Sequence, residues 1–302
     1  MRLLIAGGSG QVAQSLRLAA EAHGIAAAVH GRPELDITRP ETIESAVAAF
    51  APDVIINAAA YTAVDLAERE VSSAFAVNRD GAGNVAAAAA SAGVPVIHIS
   101  TDYVFDGTAS RPYLEDDATN PLGVYGLSKL EGEQAVARAN SRHVILRTAW
   151  VYSPFGKNFV KTMLQLAKTR DELGVVDDQV GSPTYAPDIA EAIVAIAGRL
   201  VVDPANLANF GVFNLTGGGE ASWCGFARHI FAISAELDGP QAMVRAITTA
   251  DYPTPARRPA NSRLDCARIL EVHGLVMPRW KDSVRVCVSR LLQDSSIESV
   301  GI

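Results

Sequence analysis

An α/β fold, with a doubly wound parallel sheet and a smaller C-terminal lobe, is predicted by three observations. Short β-branched apolar runs alternate with longer helical stretches up to about residue 150, a glycine-rich turn follows the first run, and the alternation weakens afterwards. In order, "RLLIA" (2–6), "IAAAVH" (25–30), "DVIINA" (53–58), "VPVIHIS" (94–100) and "HVILRT" (143–148) read as buried strands bounded by turn residues. Between them "QVAQSLRLAAEA", "RPETIESAVAAFA" and "GAGNVAAAAASAG" carry helical periodicity, with Thr38 before Arg39-Pro40-Glu41 as a start signal. The alanine run at 86–90 reads as a helix whose small side chains pack close against the sheet. Strand and helix repeated in this way wind a right-handed parallel sheet covered on both faces. Ligands of such a sheet sit at the carboxyl ends of its strands.

Beyond residue 150, helices are predicted at 157–170, 187–200, 222–237 and 279–293, and strands at "GVV" (174–176) and "GVFNLT" (211–216). The intervening loops carry Pro and Gly. Residues 1–150 then form the first domain, with a segment near 174–200 returning to it, and residues 151–302 form mainly the lobe.

Composition narrows the function. The 302 residues are 49% hydrophobic and 20% charged, and the mean hydropathy is +0.15, as in a compact globule. A net charge of −7 and an isoelectric point near 5.4 argue against nucleic-acid binding, which needs a basic face. No run approaches the roughly 18 apolar residues of a membrane span, and "MRLLIAGGSG" is too short for a signal-peptide core. A cytoplasmic location is therefore expected. Cys224, Cys266 and Cys287 lie far apart without zinc spacing and read as reduced thiols. None of the six histidines has a partner at metal or triad spacing, so all six read as structural.

An acidic chain must meet any anionic ligand with a local feature, and the first turn supplies one. In "RLLIAGGSGQVAQSL", Gly7, Gly10 and Ala13 form the pattern GxxGxxA between the first strand and a helix. Glycines there allow a tight turn and close backbone approach, and the helix N-terminus offers free N–H groups to a pyrophosphate. This is the context of a dinucleotide fingerprint, hence a Rossmann-like domain. After the second strand comes "HGRPELD", with Arg32 and no immediate carboxylate. Arg32 can accept a ribose 2′-phosphate, a reason to favour NADPH over NADH, and a plain turn arginine fits nearly as well.

"PLGVYGLSKLEGEQAVARA" reads as a helix that sets Tyr125 and Lys129 one turn apart on one face. A free tyrosine titrates near 10, but an adjacent ammonium and a charged nicotinamide both favour its ionised form. Such a pair can give a proton to an alkoxide as hydride arrives. Alone, YxxxK is common. Here it follows a strand ending in Ser100-Thr101, so hydroxyl, tyrosine and lysine occur in the chain order of a short-chain dehydrogenase/reductase.

The motifs "GGSGQVA", "NAAAYTAVDLAE" (57–68), "STDYVFDG" (100–107), "NPLGVYGLSKLEGE" (120–133), "RTAWVY" (147–152), "GKNFVKTM" (156–163), "DQVGSPTYAPDIA" (178–190) and "RRPANSRLD" (257–265) run through nearly the whole chain. In these the sequence resembles the dTDP-4-dehydrorhamnose reductases, an extended branch of that superfamily. The resemblance implies NAD(P)H-dependent reduction of the 4-keto group of dTDP-4-dehydro-L-rhamnose to dTDP-L-rhamnose, a step of cell-envelope sugar biosynthesis. It implies that Thr101 holds the C4 carbonyl, Tyr125 supplies the proton, and Lys129 tunes Tyr125 and binds the nicotinamide ribose. Gly10, Gln11 and Val12 are expected under the pyrophosphate, Asp36 and Ile37 near the adenine, and Ala60, Tyr61 and Thr62 beside the cofactor. Asp102 and Trp150 are expected to face the sugar nucleotide. Members of that family differ in metal dependence and in dimer contacts, so metal need is unknown and a homodimer is left open.

Other residues carry two readings. Tyr103 lines the substrate pocket or packs at a strand end. Trp150, just past the fifth strand, stacks on a sugar or base, or fills the core. Asp65 and Glu68 suit the first turn of a helix, where the dipole stabilises negative charge, better than an acid/base pair. Arg257, Arg258 and Arg263 form a surface cluster or, as a group, meet the substrate diphosphate. Two rival functions share the motifs: sugar-nucleotide dehydratases and epimerases, and a regulatory homologue resembling the methionine adenosyltransferase β subunit. Dehydratases commonly carry "TDE" where this chain has "TDY", with Tyr103 in place of the glutamate, and a regulatory role needs no hydroxyl, tyrosine and lysine together. A reductase of another keto-sugar nucleotide is the third alternative.

Overall fold

In the computed structural model, residues 1–300 are described, the side chains of 294–300 excepted. The first half runs β1 (Arg2–Ala6), α1 (Gln11–Ala22), β2 (Ala26–His30), α2 (Pro40–Phe50), β3 (Val54–Asn57), α3 (Val64–Ala67), α4 (Val71–Phe75), a π-helical turn (Ala76–Gly81), α5 (Ala82–Ser91), β4 (Val96–Thr101), α6 (Val124–Ala139) and β5 (His143–Thr148). After it come β6 (Val151–Tyr152), α7 (Phe159–Leu166), β7 (Glu172–Val176), β8 (Val180–Gly181), β9 (Thr184–Tyr185), α8 (Ala186–Val202), β10 (Gly211–Asn214) and β11 (Ala221–Ser222). The chain closes with α9 (Trp223–Glu236), β12 (Met243–Ile247), β13 (Asn261–Ser262), α10 (Ala267–His273) and α11 (Trp280–Val300).

Six strands form one parallel sheet in the order β10-β5-β4-β3-β1-β2. Period-two alternation decides its two faces. On β1, Leu3 and Ile5 join the core under α1 and α8, while Leu4 and Ala6 join the opposite core under α2 and α5. The strand order reverses between β1 and β3, so the loops after these two strands splay apart at the carboxyl edge and open a crevice. A separate core, built on Tyr152, Phe226 and Trp280, holds α7, α9 and α11 together as the lobe. Among the described residues no helix is long and apolar enough to cross a membrane.

Several expectations need correction. β2 is half-buried rather than buried, because it lies at the sheet edge with β1 as its single partner. Thr38 does not cap α2. Its hydroxyl donates to Asp36 Oδ1 (2.7 Å), and α2 begins instead with Pro40 at its first turn. The "GVV" strand lies outside the large sheet and pairs with β12. Glu68 does not serve the first turn of its own helix: it follows α3 and accepts the Val124 N–H (2.9 Å), satisfying a free donor at the start of α6.

α10 contributes a buried histidine to the sheet side. His273 meets the Phe213 ring edge-on at 4.8 Å between centroids. Burial and the nearby Arg199 push it down to about 4, against a weaker pull from the Asn209 backbone. The folded protein thus binds fewer protons at this site than the unfolded chain, so the stability it contributes is present above pH 6.5 and is lost as pH falls toward 4. Between pH 7 and pH 5 the wild type should lose on the order of 2 kcal/mol more than His273→Leu. Urea unfolding of both proteins at the two pH values checks this; parallel losses would refute it.

Candidate active site

The glycine loop is shaped by contacts rather than by side chains. Gly7 (φ 142°) lies so near the Ala58 backbone that a Cβ would come within 3.0 Å of its carbonyl carbon, and Gly8 (φ 46°) abuts Gly31 as closely. Gly10 begins α1 with no side-chain cap and no acidic residue in the first turn. The first N–H groups of the helix therefore face the crevice with positive polarity, a seat suited to a pyrophosphate. Gln11 has a second role that its position in the motif does not reveal. Its Oε1 accepts from Ser153 Oγ (2.8 Å) and Asn158 Nδ2 (3.0 Å), tying this loop to the start of α7. Val12 packs against the α1–α8 core.

The loop after β3 forms the other wall. Ala60, Tyr61 and Thr62 follow Asn57, and Asn78 from the π-helical turn holds them by accepting Tyr61 N–H (2.8 Å) and donating to Tyr61 O (3.1 Å). Asn78 also donates to Ser128 Oγ on α6 (3.0 Å), so one buried amide aligns this wall with the helix that carries Tyr125 and Lys129. Asp36 lies beyond the end of β2, its carboxyl held below its usual range by the Thr38 hydrogen bonds and by Arg32 and Arg39. Ile37 is buried against Gly81, and Asn84 takes its carbonyl (3.0 Å).

At the carboxyl end of β4, Thr101 is buried, donates to Asp102 Oδ1 (3.1 Å) and accepts Tyr103 N–H (3.2 Å). α6 crosses here because two glycines let it approach. A Cβ on Gly126 would collide with the Tyr103 carbonyl, and one on Gly132 with the Asn78 carbonyl. Tyr125 then meets Tyr103 edge-on at 5.5 Å. Burial raises Tyr125 above the ordinary tyrosine value, and the neighbouring Thr101 hydroxyl pulls it back in part. Lys129 follows Tyr125 one turn along α6. Its Nζ is buried beneath the helix, donating to Ile99 O (2.6 Å) with His98 Nε2 at 3.3 Å, and burial pushes it down to about 8. Asp102 is pushed up to about 6, also by burial.

The lobe supplies the far side. Of the three arginines, Arg258 lies over the Tyr103 ring (6.0 Å) and pairs with Asp65 (2.7 Å). Tyr103 is thereby enclosed, and burial pushes it up to about 12. Arg263 is committed to Asn261, Glu220 and Ser110, and Arg257 is exposed. Trp150, half-buried with φ 48°, packs against the lobe core and stacks on Trp223 at 3.5 Å and 7° between planes, while Gly181 presses on the indole.

Below the site lies a pair that the sequence did not single out. Arg147 on β5 and Glu133 on α6 form a bidentate, buried ion pair (2.7 and 2.9 Å), and Ser100 Oγ donates to the same Glu133 (2.5 Å). The two residues are fourteen apart and on different elements, so no periodicity links them.

Comparison with known proteins agrees with this geometry. A family model described as the RmlD substrate binding domain matches residues 1–293. A dTDP-4-dehydrorhamnose reductase of Sinorhizobium fredii is 52% identical over 293 residues, covering 97% of this chain and 98% of that protein. A crystal structure of a dTDP-4-dehydrorhamnose reductase from Clostridium acetobutylicum superposes with a TM-score of 0.89 at 38% identity, covering 97% of this chain and all of that one. Another, from Bacillus anthracis in complex with NADP, gives 0.87 at 34% identity, covering 96% and 99%. By sequence, by fold and over nearly its full length, the chain belongs to the dTDP-4-dehydrorhamnose reductase family.

Proposed function

We propose that the protein reduces the 4-keto group of dTDP-4-dehydro-L-rhamnose with NAD(P)H to give dTDP-L-rhamnose. The observation that carries this reading is the convergence of Thr101, Tyr125 and the α1 N-terminus on one crevice at the carboxyl edge of the sheet. Gly7, Gly10, Gln11 and Val12 would hold the dinucleotide's pyrophosphate, with Asp36 and Ile37 toward the adenine and Ala60, Tyr61 and Thr62 alongside. When bound, the reduced nicotinamide supplies the hydride.

The chain's own residues do the rest. Thr101 and Tyr125 hydrogen-bond the carbonyl oxygen of the substrate, which polarises C4. Burial keeps Tyr125 protonated, the form that a donor needs, and it releases that proton to the oxygen as negative charge develops there. Lys129 lies one helical turn along and binds the ribose. Arg258, Tyr103, Asp102 and Trp150 border the sugar nucleotide. Soluble nicotinamide and nucleotide-sugar reactants fit a cytoplasmic enzyme.

Arg32 is exposed after β2 and close enough to lower Asp36. As a partner for a 2′-phosphate it favours NADPH. The test follows oxidation of NADPH and of NADH in the presence of dTDP-4-dehydrorhamnose, for wild type and Arg32→Ala. Wild type should form dTDP-rhamnose. Arg32→Ala should raise the KM for NADPH by about 10-fold or more, the loss of a charged hydrogen bond, and leave that for NADH alone. No oxidation by folded wild type would refute the substrate, and equal KM changes would refute the arginine.

A further inference from the structure

The segment that leads into the lobe comes back over the dinucleotide seat. Residues 153–158 connect β6 to α7 and are built around Gln11, the first residue of α1. The orientation of each amide follows from its partners. Asn158 Oδ1 accepts Lys161 N–H (3.2 Å) and caps α7, so Asn158 Nδ2 faces back along the loop. There it donates to Ser153 O (2.7 Å) and to Gln11 Oε1 (3.0 Å). Ser153 Oγ donates to the same Gln11 oxygen (2.8 Å) and accepts Phe155 N–H (3.0 Å). Both lone pairs of that oxygen are thus taken by the loop. Ser153 and Asn158 are buried, so water does not replace these bonds.

The tip of the loop is set down on the same residue. Gly156, with φ 60°, turns the chain, and a Cβ on it would stand 3.3 Å from Gln11 Cγ. Lys157 comes next and is exposed, with no hydrogen bond or ion pair among the described residues. The other cations nearby are engaged: Lys161 with Pro154 O (3.1 Å), Lys129 with Ile99 O (2.6 Å) and Arg258 with Asp65 (2.7 Å). A helix N-terminus offers only about half an elementary charge, less than a doubly charged pyrophosphate calls for. The first turn of α1 adds no acidic residue to oppose a ligand, and no basic one to hold it.

We propose that Lys157 closes over the dinucleotide's pyrophosphate as a cation delivered from the lobe side, with the Gln11 side chain as the positioning group that holds its loop in place. A flexible four-carbon stem suits that task, since it reaches from the tip across Gln11 to the helix N-terminus. The inference rests on the dinucleotide-binding part of the reductase reading. In the sequence, "GKNFVKTM" shows no such role, because its partner Gln11 lies on another element and meets it only through the fold.

The test is fluorescence titration of NADPH and of NADH onto the full chain. It compares wild type, Lys157→Ala, Gln11→Met and the double variant, with Lys168→Ala, beyond the far end of α7, as the control for net charge. Lys157→Ala should raise the Kd of both dinucleotides by about tenfold, the loss of a charged hydrogen bond, and Lys168→Ala should leave both alone. In the Gln11→Met background the tip is no longer held, so adding Lys157→Ala should cost less than about threefold, the mark of two residues acting through one contact. Unaltered affinity in Lys157→Ala overturns the proposal, and this exposed substitution decides the matter even where Gln11→Met does not fold. A full tenfold cost in the Gln11→Met background overturns the positioning role. A loss confined to NADPH would put the lysine on the 2′-phosphate, and a loss confined to dTDP titrated alone would put it on the substrate's diphosphate; either result overturns the assignment. Wild type that binds neither dinucleotide would instead sink the reductase reading.

Discussion

Tyr125→Phe should lower kcat by about 100- to 10,000-fold, the usual cost of a lost general acid, while dinucleotide affinity and melting temperature stay close to wild type. The phenyl ring keeps the edge-on contact with Tyr103 and removes only the hydroxyl. The measurement is steady-state oxidation of NADPH by dTDP-4-dehydrorhamnose, with fluorescence titration of the dinucleotide as control. A fall in KM alone, or a decrease under tenfold, would assign the proton to another donor. Thr101→Val offers the complementary case, because it deletes the neighbouring hydroxyl and leaves the tyrosine.

Arg147→Met should destabilise the fold by about 3–5 kcal/mol, the penalty for leaving a buried carboxylate without its counter-charge. Glu133 and Arg147 side chains are each 5% exposed, so water cannot take the place of the guanidinium. Arg147 also donates to the Glu115 carbonyl (3.0 Å) and covers the Phe105 ring (5.1 Å). Urea unfolding measures the loss. The double variant Arg147→Met, Glu133→Leu should recover much of it, since apolar replacement of both members removes the uncompensated charge. Failure of the double variant to recover would place the cost in packing instead.

The sequence and the structure agree where local chemistry is strong. The five strands of the first half and the helices between them are legible because β-branched runs and turn residues delimit them, and the glycine loop is legible because a tight turn demands those residues. Tyr125 and Lys129 share a helix, so their spacing alone places them together. What the sequence does not disclose depends on through-space partners. Glu68 reads as belonging to its own short helix and instead serves α6, Asp65 finds Arg258 at the far end of the chain, and Trp150 finds Trp223. The π-helical turn has no periodic signature, yet its Asn78 aligns two walls of the site. His98 belongs to the same class: an apolar strand context describes where it sits and says nothing of the lysine behind it.

The strand order bears on synthesis as well as on catalysis. β10, which closes the large sheet beside β5, is encoded at 211–214, after α7, α8 and the lobe's first strands have been made. A nascent chain that has released only its first half therefore presents β5 with an unpaired row of peptide groups along "HVILRT", a template for wrong pairing. Truncation just before residue 211 should leave an aggregating fragment even though the entire glycine loop and the Tyr125–Lys129 helix are present. The edge strand delivered late acts as a stopper, and the ribosome must travel some sixty residues past β5 before the chain is sealed.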